Sequence, residues 1–253
     1  MGANKVPSVL SNVAMFANST PVYSTQEGLH PDLCHHVRRA LANDWQRPMA
    51  EHTRTAFDAA RRFYQAHGGP LILDAGCGTG RSTRQLARDY PHACVLGIDR
   101  SADRLSRDYS RELGAFPDNA LLVRADLVDF WRLAHLAGWR PIRHCIFYPN
   151  PYPKASQLKK RWHAHPVFPV LLALGGVLEL RSNWQIYVEE FALAVALATG
   201  QGPDVEKLLL SPESEFISAF EHKYFDSGHV LWRLQCPLAV SALPAPVRPA
   251  HSI

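Results

Sequence analysis

The stretch Leu71-Ile-Leu-Asp-Ala-Gly-Cys-Gly-Thr-Gly-Arg81 carries the densest chemical signal in the chain. A short apolar run ends in Asp74, and Gly76, Gly78 and Gly80 follow at alternate positions before a helical pattern begins. Glycines let the backbone take φ > 0 and approach a ligand closely. The free N–H groups of the following helix face the same crevice. Dinucleotide folds space their glycines G-x-G-x-x-G, whereas this loop reads Asp74-x-Gly76-x-Gly78-x-Gly80. A glycine-rich turn with no ligand is the competing reading, and the strand before it and helix after it weigh against that. Two further acids end apolar runs. Asp99 lies about 20 residues beyond the turn, where α/β folds hold ribose hydroxyls. Asp126 stands at the end of a third run, placed to accept an adenine amino group; a plain surface-loop acid is the alternative for Asp99.

The elements that must position these residues are legible as alternating patterns. Apolar residues Ala56, Phe57, Ala60, Phe63 and Tyr64 recur at helical spacing within residues 53–66. Residues 93–98, 120–123, 142–148 and 176–181 read as strands two to five, and 205–210 and 230–236 as the last two. Helical faces separate them. Thr83, Leu86, Ala87 and Tyr90 precede a stop at Pro91; Ser101 caps a face of Ala102, Leu105 and Tyr109. Phe130, Leu133 and Ala137 mark another, 168–172 a short one, and Trp184, Tyr187, Val188, Phe191 and Val195 the last, ending at Gly200. This alternation predicts an α/β fold: a doubly wound, mostly parallel seven-stranded sheet with helices on both faces. Residues 1–50 read as an irregular, partly helical extension, 51–236 as the domain, and 237–253 as a Pro-rich, disordered tail.

Composition excludes several classes. The chain has 253 residues, 47% of them hydrophobic, enough for one sizeable core. A formal charge of +4 permits a nucleic-acid partner without requiring one. Its five cysteines form no C-x-x-C pair and read as reduced thiols, not a disulfide framework or zinc site. His30, His35 and His36 read as a solvated histidine cluster, so no metal is expected. No signal-peptide pattern opens the chain. The longest apolar stretch, residues 167–180, is broken by Pro169 and Gly175-Gly176, so no membrane span is expected and the location implied is cytoplasmic.

The fourth strand runs into Pro149-Asn-Pro-Tyr-Pro-Lys154. Its prolines fix φ and remove donors, which makes a stiff loop at the ligand edge of the sheet. Lys154, Lys159, Lys160 and Arg161 form the one dense basic run, either a phosphate track or a solvated face. Tyr152 and Trp184 could stack on a flipped base. Trp184 reads equally well as core packing on its helix.

These segments together resemble the TrmB-like tRNA (guanine-N7)-methyltransferase family, and the glycine loop is similar to the S-adenosylmethionine loop of class I methyltransferases. The family's P-D-P-W-x-K-x-x-x-x-K-R-R-type stretch is matched by Pro149-Asn150-Pro151-Tyr152-Pro153-Lys154 with Lys159-Lys160-Arg161. Its G-G-x-x-x-x-x-T-D-W segment resembles Gly175 to Trp184, and its T-x-F-E resembles Ser218-Ala219-Phe220-Glu221. The likeness spans roughly residues 70 to 235. It implies S-adenosylmethionine as cofactor and tRNA as partner. Asp74, Gly76, Gly78 and Gly80 would then hold the methionine end, Asp99 the ribose and Asp126 the adenine. Asn150 and Asn183 would sit at the reacting base, and Lys154, Lys159, Lys160, Arg161, Trp184, Ser218 and Glu221 would bind substrate. Two departures are pointed: the family's acids in the proline loop and before the tryptophan are Asn150 and Asn183 here. Both asparagines could instead only cap the following turn or helix. They also leave open a small heteroaromatic acceptor, or a binding module without turnover.

Overall fold

The computed structural model describes residues 18–239. Five parallel strands, β1 (Leu71–Ala75), β2 (Cys94–Asp99), β3 (Ala120–Arg124), β4 (Arg143–Phe147) and β5 (Gly176–Ser182), are joined by β6 (Val205–Lys207) and β7 (Trp232–Leu238). The sheet order is β3-β2-β1-β4-β5-β7-β6, with β7 antiparallel to both its neighbours. The expected seven-stranded, mostly parallel sheet is therefore the observed one.

Side-chain alternation sorts the two faces. Leu71, Leu73 and Ala75 of β1, with Cys94, Leu96 and Ile98 of β2, enter the larger core. There they meet Phe57 of α2 (Glu51–His67), Phe130 and Trp131 of α6 (Leu127–Leu136), Leu171 of α7 (Phe168–Ala173) and Phe191 of α8 (Gln185–Thr199). Ile72, Val95, Cys145 and Phe147 point the other way, onto Leu86 and Ala87 of α3 (Arg81–Asp89). Burying each such side chain stabilises the fold by about 1.5–3 kcal/mol, which makes β1 the strand the rest is built around. One buried polar pair sits within this core. Trp131 donates its indole N–H to His144 Nε2 at 2.9 Å, and burial holds that imidazole neutral, with its pKa lowered to about 3.

Three expectations change. Residues before 51 do not stand apart: α1 (Leu33–Ala42) buries Leu33 and Val37 completely in the larger core, so the described part of that extension packs as domain. The single helix expected after Ser101 is two short turns, α4 (Ala102–Leu105) and α5 (Ser110–Leu113), neither burying a residue. Asp108 takes hydrogen bonds from the Ser110 N–H and hydroxyl, offering the backbone an alternative to a continuous helix. The strand expected over 205–210 stops at Lys207, because Leu208 and Leu210 turn into the smaller core while Leu209 is exposed. Pro237 and Leu238 close β7; residues 240–253 of the expected tail lie outside the described residues.

Candidate active site

Gly76, Gly78 and Gly80 all take positive φ, at 83°, 60° and 78°. The loop is tied from below: Gly76 and Cys77 N–H donate to the Ile98 carbonyl, and Gly78 N–H donates to Asp99 Oδ2 at 3.0 Å. A side chain on Gly78 would meet nothing within 4 Å, so backbone faces open space there. Asp74 lies beneath, 1% exposed, and accepts hydrogen bonds from Ser82 Oγ at 2.6 Å and Thr83 Oγ1 at 2.7 Å. Burial pushes its pKa up to about 6, against those two hydroxyls. Asp74 thus pins α3 to the strand that carries the glycine loop. Gly97, read only as a strand residue, proves to matter: a Cβ there would lie 2.2 Å from Thr83 Oγ1.

Asp99 is 5% exposed, with Oδ1 accepting from Ser101 N–H at 2.8 Å and Oδ2 from the glycine loop. It links the ends of β1 and β2. Asp126 caps α6 through the N–H groups of Val128 and Asp129, while its own N–H donates to Thr53 Oγ1. It also lines a cavity of about 170 Å³ with Arg47, His52, Arg100, Arg124 and Asp129. Arg47 and His52 carried no motif signal. They arrive because Asp129 binds the Ala50 N–H at 2.9 Å and Arg132 donates to the Arg47 carbonyl.

On the other side of β1, β4 ends in Tyr148 and the proline loop, both strained. Tyr148 and Tyr152 are the non-glycine residues with positive φ, 51° and 45°, among those described. Such conformations cost energy and persist only where the surroundings enforce them. Tyr148 is held by its N–H on the Arg181 carbonyl and by its hydroxyl on Glu221 Oε1 at 2.7 Å. Burial, then Glu221, push the phenol's pKa well up. Tyr152 is held by Arg161, whose Nε and Nη2 both donate to its carbonyl. Asn150 is exposed, and its Oδ1 accepts from Tyr152 N–H at 3.2 Å, an Asx turn in which Nδ2 makes no hydrogen bond to the described residues.

Arg161 corrects the phosphate-track expectation. It is fully buried, paired to Glu190 at 2.6 Å, bonded to Gln26, and stacked at 4.7 Å over the Trp184 ring. Glu190 also binds His163 Nε2 at 2.9 Å and the His30 N–H. Its own burial disfavours the carboxylate, but His163 and Arg161 outweigh that and hold its pKa low. Ser24 Oγ, donating to the Pro153 carbonyl, straps the N-terminal segment across the same loop. Trp184, 7% exposed with a guanidinium on one face, is core and not a stacking platform. Lys154, Lys159 and Lys160 remain exposed.

Ser218 and Glu221 likewise prove to be supports. Ser218 Oγ accepts from the Glu221 N–H and begins α9 (Ala219–Asp226); Glu221, with no exposed surface, returns Oε2 to the Ile217 N–H. This is a capping box shifted by one residue, since Glu221 reaches the N–H before the N-cap rather than that of Ser218. Glu221 Oε1 also meets Arg181 at 2.9 Å, in an ion network with Glu179 and Arg143. Burial opposes the Arg181 cation, but Glu179 and Glu221 raise its pKa. Asn183, half-buried at the end of β5, caps no helix; Ser182 Oγ serves the Trp184 N–H instead. Among the described residues no helix is long and apolar enough to cross a membrane, and no cluster of three or more His, Cys, Asp or Glu is placed to hold a metal.

A glycine cradle with two fixed acids on one side of β1, and a stiff polar loop on the other, define a methyltransferase-type α/β fold. Solved structures agree on that fold. "Structure of an Antibiotic Related Methyltransferase" matches with a TM-score of 0.50 and 15% identity, covering 78% of this chain and 98% of that one. The 16S rRNA methyltransferase KamB matches with 0.50 and 17%, covering 76% and 95%. A family model described as "Putative methyltransferase" matches residues 68–234, so the chain belongs to that methyltransferase family. Curated relatives include the tRNA (guanine-N(7)-)-methyltransferase of Colwellia psychrerythraea, 24% identical over 80% of this chain and 84% of its own. The enzyme of that name from Nocardia farcinica is 32% identical over 54% and 55%.

Proposed function

We propose that this enzyme methylates N7 of a guanine in tRNA in the cytoplasm, with S-adenosylmethionine as donor. The observation that carries the reading is the adjacency of β1 and β4, which sets the glycine cradle beside the strained, exposed Asn150 loop with its exposed lysines. Relatives bearing that activity in their names align over about four-fifths of the chain, which supports it.

The residues present suit the donor. Open backbone at Gly78 and the fixed carboxylate of Asp99 offer partners to its amino-acid and ribose parts, and Asp126 lines the space for its adenine. When bound, this group supplies a methyl on a sulfonium, which passes to the N7 lone pair while positive charge moves onto the purine. N7 needs no proton removed, so the protein's work is alignment and electrostatics. Asn150 presents an N–H donor to the incoming base. Asn183 follows β5, the strand paired with β4, in place of an acid. A neutral hydrogen bond contributes about 1 kcal/mol against about 1.5–3 for a charged one, so these asparagines slow the step without changing its chemistry. Lys154, Lys159 and Lys160 bind phosphate.

Incubating the protein with labelled S-adenosylmethionine and unmodified tRNA transcripts tests this. Label should enter tRNA and render it cleavable at methylguanine. Cofactor binding with no label in tRNA overturns the substrate; label in a small-molecule fraction points to a heteroaromatic acceptor.

A further inference from the structure

His229 was singled out by no motif, yet it touches Asn183. Asn183 Nδ2 lies 3.1 Å from His229 Nδ1, and His229 Nε2 lies 3.0 Å from the Ser19 carbonyl oxygen. Ser19 is itself anchored, its N–H donating to Ser227 Oγ. The imidazole lies parallel to the Tyr224 ring at 5.3 Å, and Tyr224 in turn packs on Tyr148 beside the site.

One tautomer of His229 fits all of these contacts with the amide as it is placed. A carbonyl oxygen only accepts, so Nε2 must carry the proton. In the Nε2–H tautomer Nδ1 carries a bare lone pair, which can only accept, and this matches the Asn183 Nδ2 that faces it. With the NH₂ group so engaged, Oδ1 has no hydrogen bond among the described residues.

We propose that His229 and the Ser19 carbonyl form a tautomer lock that turns Asn183 into an acceptor toward the substrate, so that the asparagine keeps the polarity of the family's acid without its charge. This rests on the tRNA reading above. Oδ1 would accept from a purine N–H, while Asn150, with its own Oδ1 committed to Tyr152, offers a donor. The two amides present opposite polarity, as guanine's O6 and N1–H require. His229 is a positioning residue, since it reaches substrate only through Asn183.

The lock is tested by long-range ¹H–¹⁵N correlation spectra of the full-length protein, with His229 assigned by its loss in His229→Phe. The expected result is an Nε2–H tautomer with an unprotonated, hydrogen-bonded Nδ1. An Nδ1–H tautomer overturns the proposal. Methylation adds a second arm. His229→Phe should lower kcat/KM for tRNA about tenfold with cofactor affinity unchanged. His229→Asn, which keeps an acceptor at the δ position, should restore it; His229→Gln, which keeps only an ε-position group, should not. Equal activity of Phe and Asn variants overturns the lock. If the wild type methylates no tRNA, the functional reading fails while the tautomer still decides the lock.

Discussion

The two sides of β1 are held by different physics. On the β2–β3 side, backbone does the positioning: three glycines in left-handed φ, N–H groups on a carbonyl, and short acids bound to hydroxyls or amides of nearby residues. On the β4–β5 side, long charged side chains from distant segments hold loops that contain no glycine. Arg161, Glu190, His163 and Gln26 fix Tyr152; Glu221 and Arg181 fix Tyr148. The difference teaches that most motif residues on the acceptor side are braces for the few that face substrate.

The sharpest way to break this contrast is Arg161→Ala. It strips Glu190 of its cation in a site with no solvent, and breaking such a buried pair costs about 3–5 kcal/mol. The expected outcome is a loss of that size in urea unfolding, with tRNA methylation abolished and S-adenosylmethionine affinity nearly unchanged at conditions where the variant is folded. Equal loss of cofactor binding would show that the two sides are one cooperative unit.

Acid should act on the two sides with opposite sign. Asp74 has a folded pKa of about 6 against an ordinary 3.8, so the folded state binds its proton more tightly. The group's contribution to stability is thus greatest below about pH 4, declines as pH rises, and levels off above about 6. The full change amounts to about 3 kcal/mol. The carboxyls of Glu179 and Glu190 are depressed, so what they contribute is present above their ordinary range and lost on acidification. In Asp74→Asn the first dependence should vanish. The stability gap between wild type and variant, followed by urea midpoints from pH 4 to 7, should move by about that amount. Parallel curves would mean that Asp74 titrates normally.

The same contrast explains what could be read from residues alone. The glycine loop, Asp99 and Asp126 are contiguous with the strands they end, so local spacing locates them, and the sheet followed from runs such as residues 93–98. Arg161 sits in a run with Lys159 and Lys160, and its type suggested phosphate. Only Glu190, 29 residues away on α8, reveals that it faces inward. Ser218 and Glu221 did carry a local signal, since Ser-x-x-Glu before a helix is a capping box. The family likeness, which marked them as substrate contacts, outweighed it. Arg47, His52 and His229 had no signal at all, because tertiary folding alone brings 47–52 and 229 to strand ends. Tyr148 and Tyr152 show the same limit: nothing in a tyrosine's type announces φ near +50°.

The smallest expected effect separates the members of the basic run. Each phosphate contact steepens the salt dependence of binding by about 0.7–0.9 per charge in a plot of log affinity against log salt. Lys159 and Lys160 are exposed and Arg161 is not. Lys159→Ala with Lys160→Ala should therefore weaken tRNA binding at low salt and flatten the slope by about 1.4–1.8, the share of two charges, with thermal stability unchanged. A slope that does not move would take this patch out of the RNA path and leave Lys154 to carry it. A larger change, near the share of three charges, would mean that binding draws Arg161 out of its pair with Glu190. In that case the brace and the track would be the same residue in two states, and the division between positioning and contact would hold only for the free enzyme.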